Sequence, residues 1–368
     1  VRNLFGTALS IAWEPDLWGG IRRQVEANVG NAQASAATLQ ALRLSSQATL
    51  AQNYFQLKAL DAQKALLDET LVAYQKTLDI TQNRYNAGVV SKSDVKQAES
   101  QLEALRAQDV NLGIQRAKYE HAIAVLIGKA PAELSLDLDL LAVEPPSVPM
   151  VLPSELLERR PDIAAAERSV AAANAQIGVA KAAFFPTLNL ASTNGYQSNA
   201  IDTLFTAARR YWALGPAGAA LTLFEGGAKN AQYKQAFDGL DASVAAYRQT
   251  VLTGFQEVED SLASLRILEE EARIQNQAVA ASDQALELIM NQYQAGIISY
   301  LNVLTAHTTA LNNRQTAVQL KGQQLVASVL LVKSLGGGWN LKMLPTSDEA
   351  GGKVEWSDYL IIPAGTFK

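Results

Sequence analysis

The side chains that most often perform catalysis or bind metals are scarce in this sequence. Its 368 residues include no cysteine and only two histidines, His121 and His307, which lie far apart. A thiol nucleophile and a disulfide framework are therefore excluded, and a histidine metal cluster is not expected. The run from Arg159 to Asp162 (RRPD) resembles a phosphate binder in isolation, but proline followed by aspartate is also typical of a helix start. We expect no enzyme, cofactor or metal site.

The composition excludes some partners. The chain is 48% hydrophobic and 18% charged, with a formal net charge of −5. A mildly acidic chain without a basic stripe offers little to neutralise phosphates, so nucleic acid is not expected as a partner. The acidic run from Leu268 to Glu271 (LEEE) is interpreted as a solvated helix face. No apolar run reaches the roughly eighteen residues of a transmembrane helix.

The elements that organise the chain are two long heptad patterns. Apolar residues return every seventh position between Val251 and Tyr293, and a similar line runs from Leu50 to Tyr85. Such a repeat predicts helices that supercoil against partner helices. A helix over residues 226–293 would span roughly 100 Å at 1.5 Å per residue.

Turns and shorter elements complete the pattern. The first long helix is predicted over residues 21–86, followed by a tip turn at Gly88 and a return helix over 93–128; Gly296 marks the corresponding second tip. A proline-rich connector over 129–153 follows, and a shorter, alanine-rich helix is predicted over 156–183. Alternating residues predict strands over 4–13 and 187–196. A third strand is predicted over about 212–224, after a loop that contains residues 201–210.

The two halves are related by an offset of 208 residues, which places Tyr85 on Tyr293 and Gly88 on Gly296. A repeat of this length indicates a duplicated domain half. We therefore divide the chain into a first, incomplete repeat over 1–152, a second repeat over 153–335 and a tail over 336–368 that we expect to pack near the equatorial region. The second repeat contains a short helix and a strand that the first lacks, and Val1 is not methionine. We therefore expect an N-terminally truncated chain.

The strands have one bulky apolar face. Its residues are Phe5, Leu9, Ile11, Trp13, Leu188 and Leu190. This alternation indicates the wall of a transmembrane β-barrel. Three or four strands cannot close a barrel alone, and open edges are not tolerated in lipid. The expected fold is mainly α with a small β part: long coiled-coil hairpins form an α-barrel, continued by a transmembrane β-barrel that several chains share; the resemblance described next implies three chains.

Several motifs resemble one known family across nearly the whole chain. They are WEPDLWGG (13–20), LLERRPD (156–162) with AER (166–168), ANAQIGVAKAAFFP (173–186), LFEGG (223–227), FQEVED (255–260) and SLGGGW (334–339). The sequence resembles an outer-membrane efflux protein of the TolC class, in the lipoprotein branch that works with RND-type pumps. The resemblance implies a homotrimer in outer-membrane lipid of a Gram-negative bacterium. This trimer would extend into the periplasm and pass small molecules delivered by an inner-membrane pump and a periplasmic adaptor.

The resemblance also implies a gate at the hairpin tips. Ser93 and Asp94 at the first tip, and Tyr293 at the second, match positions that make polar links between neighbouring helix pairs. Asp94 alternatively caps the return helix. Tyr85 and Tyr293 also end a heptad line, and for Tyr85 packing in the seam is at least as well supported as a role in the gate. Asn302 and Thr305 occupy positions where the family often has carboxylates, so we expect a neutral constriction.

Leu301 is a candidate apolar plug of this constriction. His307, close to it in sequence, is interpreted as a solvated or packed helix residue rather than a pH sensor. The alternative function is a periplasmic coiled-coil adaptor or a structural protein without a pore. Two matched hairpins with strands argue against it, because an adaptor would carry one hairpin beside a lipoyl-like β region.

Overall fold

The computed structural model describes residues 3–138, 159–215 and 218–352. Residue contacts divide the chain into two units. Of the described residues, those within 1–39, 161–251 and 341–368 form the first unit, and those within 40–160 and 252–340 form the second. The division into sequence repeats describes a different property of the chain and stays a prediction.

Two long helices and two shorter return helices dominate the secondary structure. Helix α1 spans Gly20–Asn86 and α2 spans Lys92–Leu126. Helix α3 spans Pro161–Ala182, α4 spans Ala228–Gln294 and α5 spans Tyr300–Ser334. The predicted heptad helices are confirmed to within about two residues at their ends. Helix α3 begins at Pro161, five residues after the predicted start at Leu156, which lies outside the described residues. The predicted connector over 129–153 is described as far as residue 138 and contains a 3₁₀ turn at Pro131–Glu133. None of the described helices is long and apolar enough to cross a membrane.

The second unit has a core made by the heptad seams. One cluster joins Leu67 and Tyr74 of α1 to Leu102 and Leu105 of α2 and to Leu311 of α5. A second cluster, nearer the tips, contains Ala98, Tyr293, Tyr300 and Val303. The predicted α4 seam is at least half buried at every position from Val251 to Tyr293. The seven-residue period therefore identified the inward face of α4.

The first unit packs helices through small residues. Gly30 of α1 lies so close to Ala172 of α3 that an added Cβ would be 3.0 Å from the alanine Cβ. Ala27, Ala172 and Ala175 are buried at this crossing. The alanine-rich sequence of α3 is thus explained by close helix packing, which leaves little room for larger side chains.

The same unit contains a four-stranded sheet. Strands β1 (Phe5–Trp13) and β3 (Arg210–Leu214) flank β2 (Thr187–Ser198), and the short β4 (Gly218–Ala220) pairs with the start of β2. All pairings are antiparallel. In the β1–β2 register Trp13 is opposite Leu190 and Ile11 is opposite Ser192.

The register places the bulky apolar residues on one face, as predicted. Phe5, Leu9, Ile11, Trp13, Leu188 and Leu190 share this face, and β3 adds Trp212 and Leu214. Leu9, Ile11 and Trp13 are exposed by 63–69%, whereas Phe5 and Leu188 are half-buried. The opposite face carries small and polar residues, including Ser10 and Thr193, whose hydroxyls lie 3.1 Å apart.

The predicted third strand, 212–224, was too long and unbroken. The structure has two short strands in this region, and Gly215 follows the first with a φ of 107°. Residues 221–224 are not in a strand, and Leu223 and Phe224 are each 90% exposed. The pairing with β2 ends where Ala220 meets Thr187, the first residue of β2, so no partner is available beyond it.

The C-terminal part has little regular structure among its described residues. A 3₁₀ turn spans Leu341–Met343 and a short π-type turn spans Asp348–Gly352. Gln33 of α1 donates a hydrogen bond to the carbonyl of Pro345, 2.9 Å away, which holds this segment against α1. The rest of the predicted tail lies outside the described residues.

Candidate functional site at the hairpin tips

Both tips are built by the same glycine turn. Gly88 follows α1 with a φ of 75°, and Gly296 follows α4 with a φ of 79°. The amide of Val89 donates to the carbonyl of Arg84 at 2.9 Å, and Ile297 repeats this geometry at the second tip. Such bonds satisfy the last helix carbonyls in a Schellman cap, for which a left-handed glycine is well suited. The two glycines predicted as tip turns are thereby explained.

At the first tip, helix α2 begins with a capping box. Ser91 is the N-cap of α2, and its side chain accepts a hydrogen bond from the backbone amide of Asp94 at 3.3 Å. The carboxylate of Asp94 accepts in return from the amide of Ser91 at 3.1 Å. The hydroxyls of Ser91 and Ser93 are 2.5 Å apart. Within one chain, Asp94 therefore caps its helix, as the alternative interpretation predicted.

At the second tip, helix α5 begins without such a capping box. Ser299 is the N-cap of α5, but its side chain makes no capping hydrogen bond, and Asn302 stands where the repeat has Asp94. Leu301, Asn302 and Thr305 are all exposed. Asn302 and Thr305 line a groove of about 480 Å³ between α4 and α5, whose surface is neutral, whereas Leu301 does not line it.

Tyr293 connects the second tip to the end of α1. Its side chain is fully buried, and its hydroxyl lies 2.9 Å from the hydroxyl of Thr81. The guanidinium of Arg84 lies over its ring, 4.5 Å from the ring centroid, and donates a hydrogen bond to the Tyr293 carbonyl. Tyr293 thus links two helix pairs of one chain, with Thr81 and Arg84 rather than Asp94 as its partners. We call these three residues the tip junction.

A buried polar layer lies next to the tip junction. His307 is 7% exposed, and its Nε2 lies 3.4 Å from the hydroxyl of Thr77. Its ring packs 4.7 Å from that of Tyr74. Burial, assisted by the positive charge of Arg314, lowers the pKa of His307 to about 4. The histidine is therefore packed and neutral at pH 7, in agreement with one of the two interpretations offered for it.

Tyr300 completes the packing around Tyr293. The two rings meet edge to face with centroids 6.2 Å apart, and Tyr300 is 3% exposed. Burial raises the pKa of Tyr300 to about 12, and the neighbouring Tyr293 and Asp94 contribute to this increase. Tyr300 therefore stays protonated and neutral at any physiological pH.

The heptad patterns did not indicate Thr81, Arg84 and Tyr300 as site residues. The position of Arg84 could have indicated its role, since a cation in the last turn of a helix can bind nearby C-terminal carbonyls. Nothing in the local sequence indicates the role of Thr81, because its hydrogen-bond partner is distant in sequence. The chemistry available here is the formation and release of hydrogen bonds between helices. In the described part of the chain, no group of three or more His, Asp or Glu side chains could hold a metal ion.

The RRPD run has a structural role. Pro161 begins α3 and Asp162 lies in its first turn, as predicted. Arg160 is buried, forms an ion pair with Glu257 at 2.8 Å and donates to the carbonyl of Ser334 at 3.1 Å. Its charge is used within the second unit, which argues against phosphate binding. The acidic run at Glu269–Glu271 is exposed, as predicted.

Known proteins share both the sequence and the fold. The family model described as "Outer membrane efflux protein" matches residues 2–129 and 152–337. The toluene efflux pump outer membrane protein TtgC of Pseudomonas putida is 34% identical over 329 residues, which are 89% of this chain and 68% of TtgC. The cation efflux system protein CusC of Escherichia coli is 30% identical over 338 residues, 91% of this chain and 73% of CusC.

Among solved structures, the outer-membrane channel OprN superposes with a TM-score of 0.85 at 29% identity, covering 92% of this chain and 82% of OprN. These relatives are outer-membrane efflux channels of Gram-negative bacteria, and none is named as an enzyme. The match extends over most of both units, including the residues of both tips. The chain belongs to the outer membrane efflux protein family.

Proposed function

We propose that this chain forms a trimeric exit duct for small molecules. The duct would receive its cargo from an inner-membrane RND-type pump through a periplasmic adaptor. Each chain would contribute its sheet to a shared β-barrel in the outer membrane and its hairpins to a shared α-barrel. The two sequence repeats, 1–152 and 153–335, would supply matched parts of that wall. The observation that carries the proposal is the exposed apolar face of the sheet.

That face has the chemistry of a barrel exterior. Leu9, Ile11 and Trp13 are exposed beside Trp212 and Leu214, which are 68% and 76% exposed, although Ser192 and Asn194 share their face. Small and polar residues predominate on the other face, which also carries Tyr211. In transmembrane barrels the apolar face contacts lipid and the polar face lines the lumen. Within the described residues, β1 and β3 each have one edge without a paired strand. Lipid does not tolerate such edges, so further chains are required to close the barrel.

The helices of the second unit also expose an apolar surface that could contact another chain. Apart from its buried seam, α4 exposes a second line at heptad spacing, formed by Ile267, Ile274 and Leu288 with the small Ala281 at the position between the last two. The isoleucine and leucine side chains are 53–63% exposed. A sustained exposed heptad line favours a helix of another chain as its partner. A trimer would bury this line and close the helical wall at the same time.

The tips would act as the gate of the duct. The tip junction would hold the second hairpin to the first within each chain. Ser93 and Asp94 would face the neighbouring chain, where Asn302 and Thr305 line the neutral groove and Leu301 is exposed. The gate would therefore close by size and hydrogen bonds. No ring of charge is required.

A passive duct agrees with the cargo named for relatives. One is named for toluene and another for a cation, although this chain matches both over most of its length. One architecture thus serves chemically unlike molecules. Cargo selection is then a property of the pump, and this chain would carry whatever the pump delivers.

The mass of the assembly tests the proposal against a periplasmic adaptor. Outer membranes would be washed free of peripheral proteins and extracted with detergent, and the mass of the extracted protein measured by native mass spectrometry. We expect a trimer in the washed outer-membrane fraction. Recovery as a monomer in the soluble periplasmic fraction would favour the adaptor and contradict the duct.

A further inference from the structure

A basic cleft with an aromatic wall lies in the first unit, where α1 and α3 meet the sheet. It has a volume of about 540 Å³, and the charged and aromatic side chains that line it are Trp18, Arg22, Arg23, Glu26, Lys181 and Phe185. Trp13 ends β1 shortly before the cleft, and Thr187 begins β2 just after it. The cleft therefore lies at the helix-side end of the strands. The tip junction and the gate belong to the second unit.

The aromatic wall has the composition of a membrane interface. Trp18 and Phe185 stack with centroids 4.7 Å apart and an angle of 18° between their planes. The indole nitrogen of Trp18 donates to the carbonyl of Pro186 at 2.7 Å. The two side chains remain 49% and 41% exposed. A tryptophan with a satisfied N–H and an exposed ring is typical of the zone between hydrocarbon and headgroups.

The cations beside this wall are only partly neutralised. Arg22 forms an ion pair with Asp16 at 3.2 Å, and Arg23 forms one with Glu26 at 2.6 Å. The Asp16 carboxylate also accepts hydrogen bonds from the first backbone amides of α1, so part of its charge serves the helix end. Lys181 is exposed and has no carboxylate partner among the residues that the structure describes. Three cations thus face two carboxylates.

The position of one cation is set by a glycine. A Cβ at Gly178 would lie 2.8 Å from Cγ of Arg23, so the stem of this arginine lies directly on α3. This packing keeps the guanidinium of Arg23 on the same side of the helices as Lys181, which is three residues further along α3. The cleft is therefore a formed concave surface with a positive excess.

We propose that this cleft binds the phosphate group of an anionic glycerophospholipid from the periplasmic leaflet of the outer membrane, in preference to a zwitterionic lipid. Lys181 and the two arginines would contact the phosphate, and Trp18 and Phe185 would contact the glycerol and the first acyl carbons. Charge complementarity and continuity with the apolar face of the sheet both support this ligand. The inference rests on the proposed position of the sheet in the membrane. It adds a specific lipid site at the level where the helices begin.

Fluorescence quenching in vesicles tests the proposal. The intact protein is reconstituted in phosphatidylethanolamine vesicles that contain a small fraction of phosphatidylglycerol brominated near the carbonyl end of its acyl chains. The contribution of Trp18 is obtained as the difference between the wild type and Trp18→Phe. We expect this contribution to be quenched at a low fraction of brominated lipid. In Lys181→Gln, half-quenching of Trp18 should require a fraction of brominated lipid about fivefold higher than in the wild type.

A matched variant controls for the loss of one positive charge. Lys234→Gln changes another exposed lysine of the first unit that does not line the cleft, and it should behave like the wild type. The assembly mass of each variant is compared with that of the wild type to exclude misfolding.

Each other outcome contradicts a different step. If the remaining tryptophans, including Trp13 and Trp212, are quenched but Trp18 is not, the lipid site is wrong and the membrane position of the sheet stands. Equal quenching of Trp18 in the wild type and in Lys181→Gln would also overturn the site, because it would reflect ordinary bilayer contact. If no tryptophan is quenched, the sheet is not in the membrane, and the proposed function fails together with the lipid site.

Discussion

The direction of the hydrogen bond between Tyr293 and Thr81 predicts that removing one hydroxyl costs more stability than removing the other. The Thr81 hydroxyl lies 2.8 Å from the carbonyl of Thr77 and donates its proton there. The Tyr293 hydroxyl, 2.9 Å from Thr81, must therefore be the donor in the second bond. Tyr293→Phe removes that donor and leaves Thr81 bonded to Thr77. Thr81→Val leaves the buried tyrosine hydroxyl without its acceptor.

The magnitudes follow from burial. A variant that loses one hydrogen bond but leaves no buried polar group without a partner is destabilised by about 1 kcal/mol. A variant that leaves a buried hydroxyl without a partner is destabilised by about 2 kcal/mol. Because Tyr293 is 0% exposed, water cannot replace the missing acceptor without opening the tip junction. The double variant should cost about 1 kcal/mol, since no polar group is left unpaired. Thr81→Val and Tyr293→Phe should therefore be strongly non-additive.

Amide hydrogen exchange followed by mass spectrometry measures these costs locally. The protection of the last turn of α4 should fall about fivefold in Tyr293→Phe and about thirtyfold in Thr81→Val. Tyr85→Phe is the matched control, because Tyr85 is the repeat counterpart of Tyr293 but is 37% exposed. It should leave this protection unchanged. An effect of Thr81→Val no larger than that of Tyr293→Phe, or strictly additive effects, would refute the assigned bond direction.

Three further predictions concern pH, the sheet and the constriction. The folded-state pKa of His307, about 4, lies below its ordinary value of 6.5. Stability should therefore be complete above pH 6.5 and fall towards pH 4, by roughly 2 kcal/mol between pH 7 and pH 5. Amide exchange of α5 should show this loss in the wild type and in the exposed-site control His121→Gln but not in His307→Gln. Leu9→Arg places a charge on the apolar face at a cost of about 2–4 kcal/mol and should reduce the trimer yield in outer membranes, whereas Ser10→Arg on the opposite face should not; equal yields would contradict the assigned faces. The wild-type pore should show little cation selectivity in planar bilayers, and Asn302→Asp should add a selectivity that disappears at low pH; strong selectivity in the wild type would contradict a neutral constriction.

The heptad pattern was sufficient to predict the long helices because helix packing requires it. Seam residues from Val251 to Tyr293 are at least half buried, and both tip glycines have the left-handed conformation that a helix reversal needs. The capping role of Asp94 was readable from its distance to Ser91, since a carboxylate three residues after an N-cap serine can close a capping box. These features depend on residues that are close in sequence.

Other features depend on contacts that no local pattern encodes. Thr81 and Tyr293 meet although more than two hundred residues separate them, and a threonine in a helical seam gives no sign of such a partner. The third strand was predicted to continue past Ala220 as far as Phe224. Its length is set instead by β2, whose first residue, Thr187, is already paired with Ala220. The length of this strand is therefore determined by the strand with which it pairs.

Single-channel recording tests the central claim, that the assembled chain is a gated duct, most directly. The detergent-extracted assembly would be inserted into a planar bilayer and its conductance recorded for the wild type and for Thr81→Val, with Tyr85→Phe as the control. The account predicts discrete conductance steps in the wild type and in the control, and larger or more frequent openings in Thr81→Val. An inserted assembly that conducts no ions in any of the three proteins would contradict it.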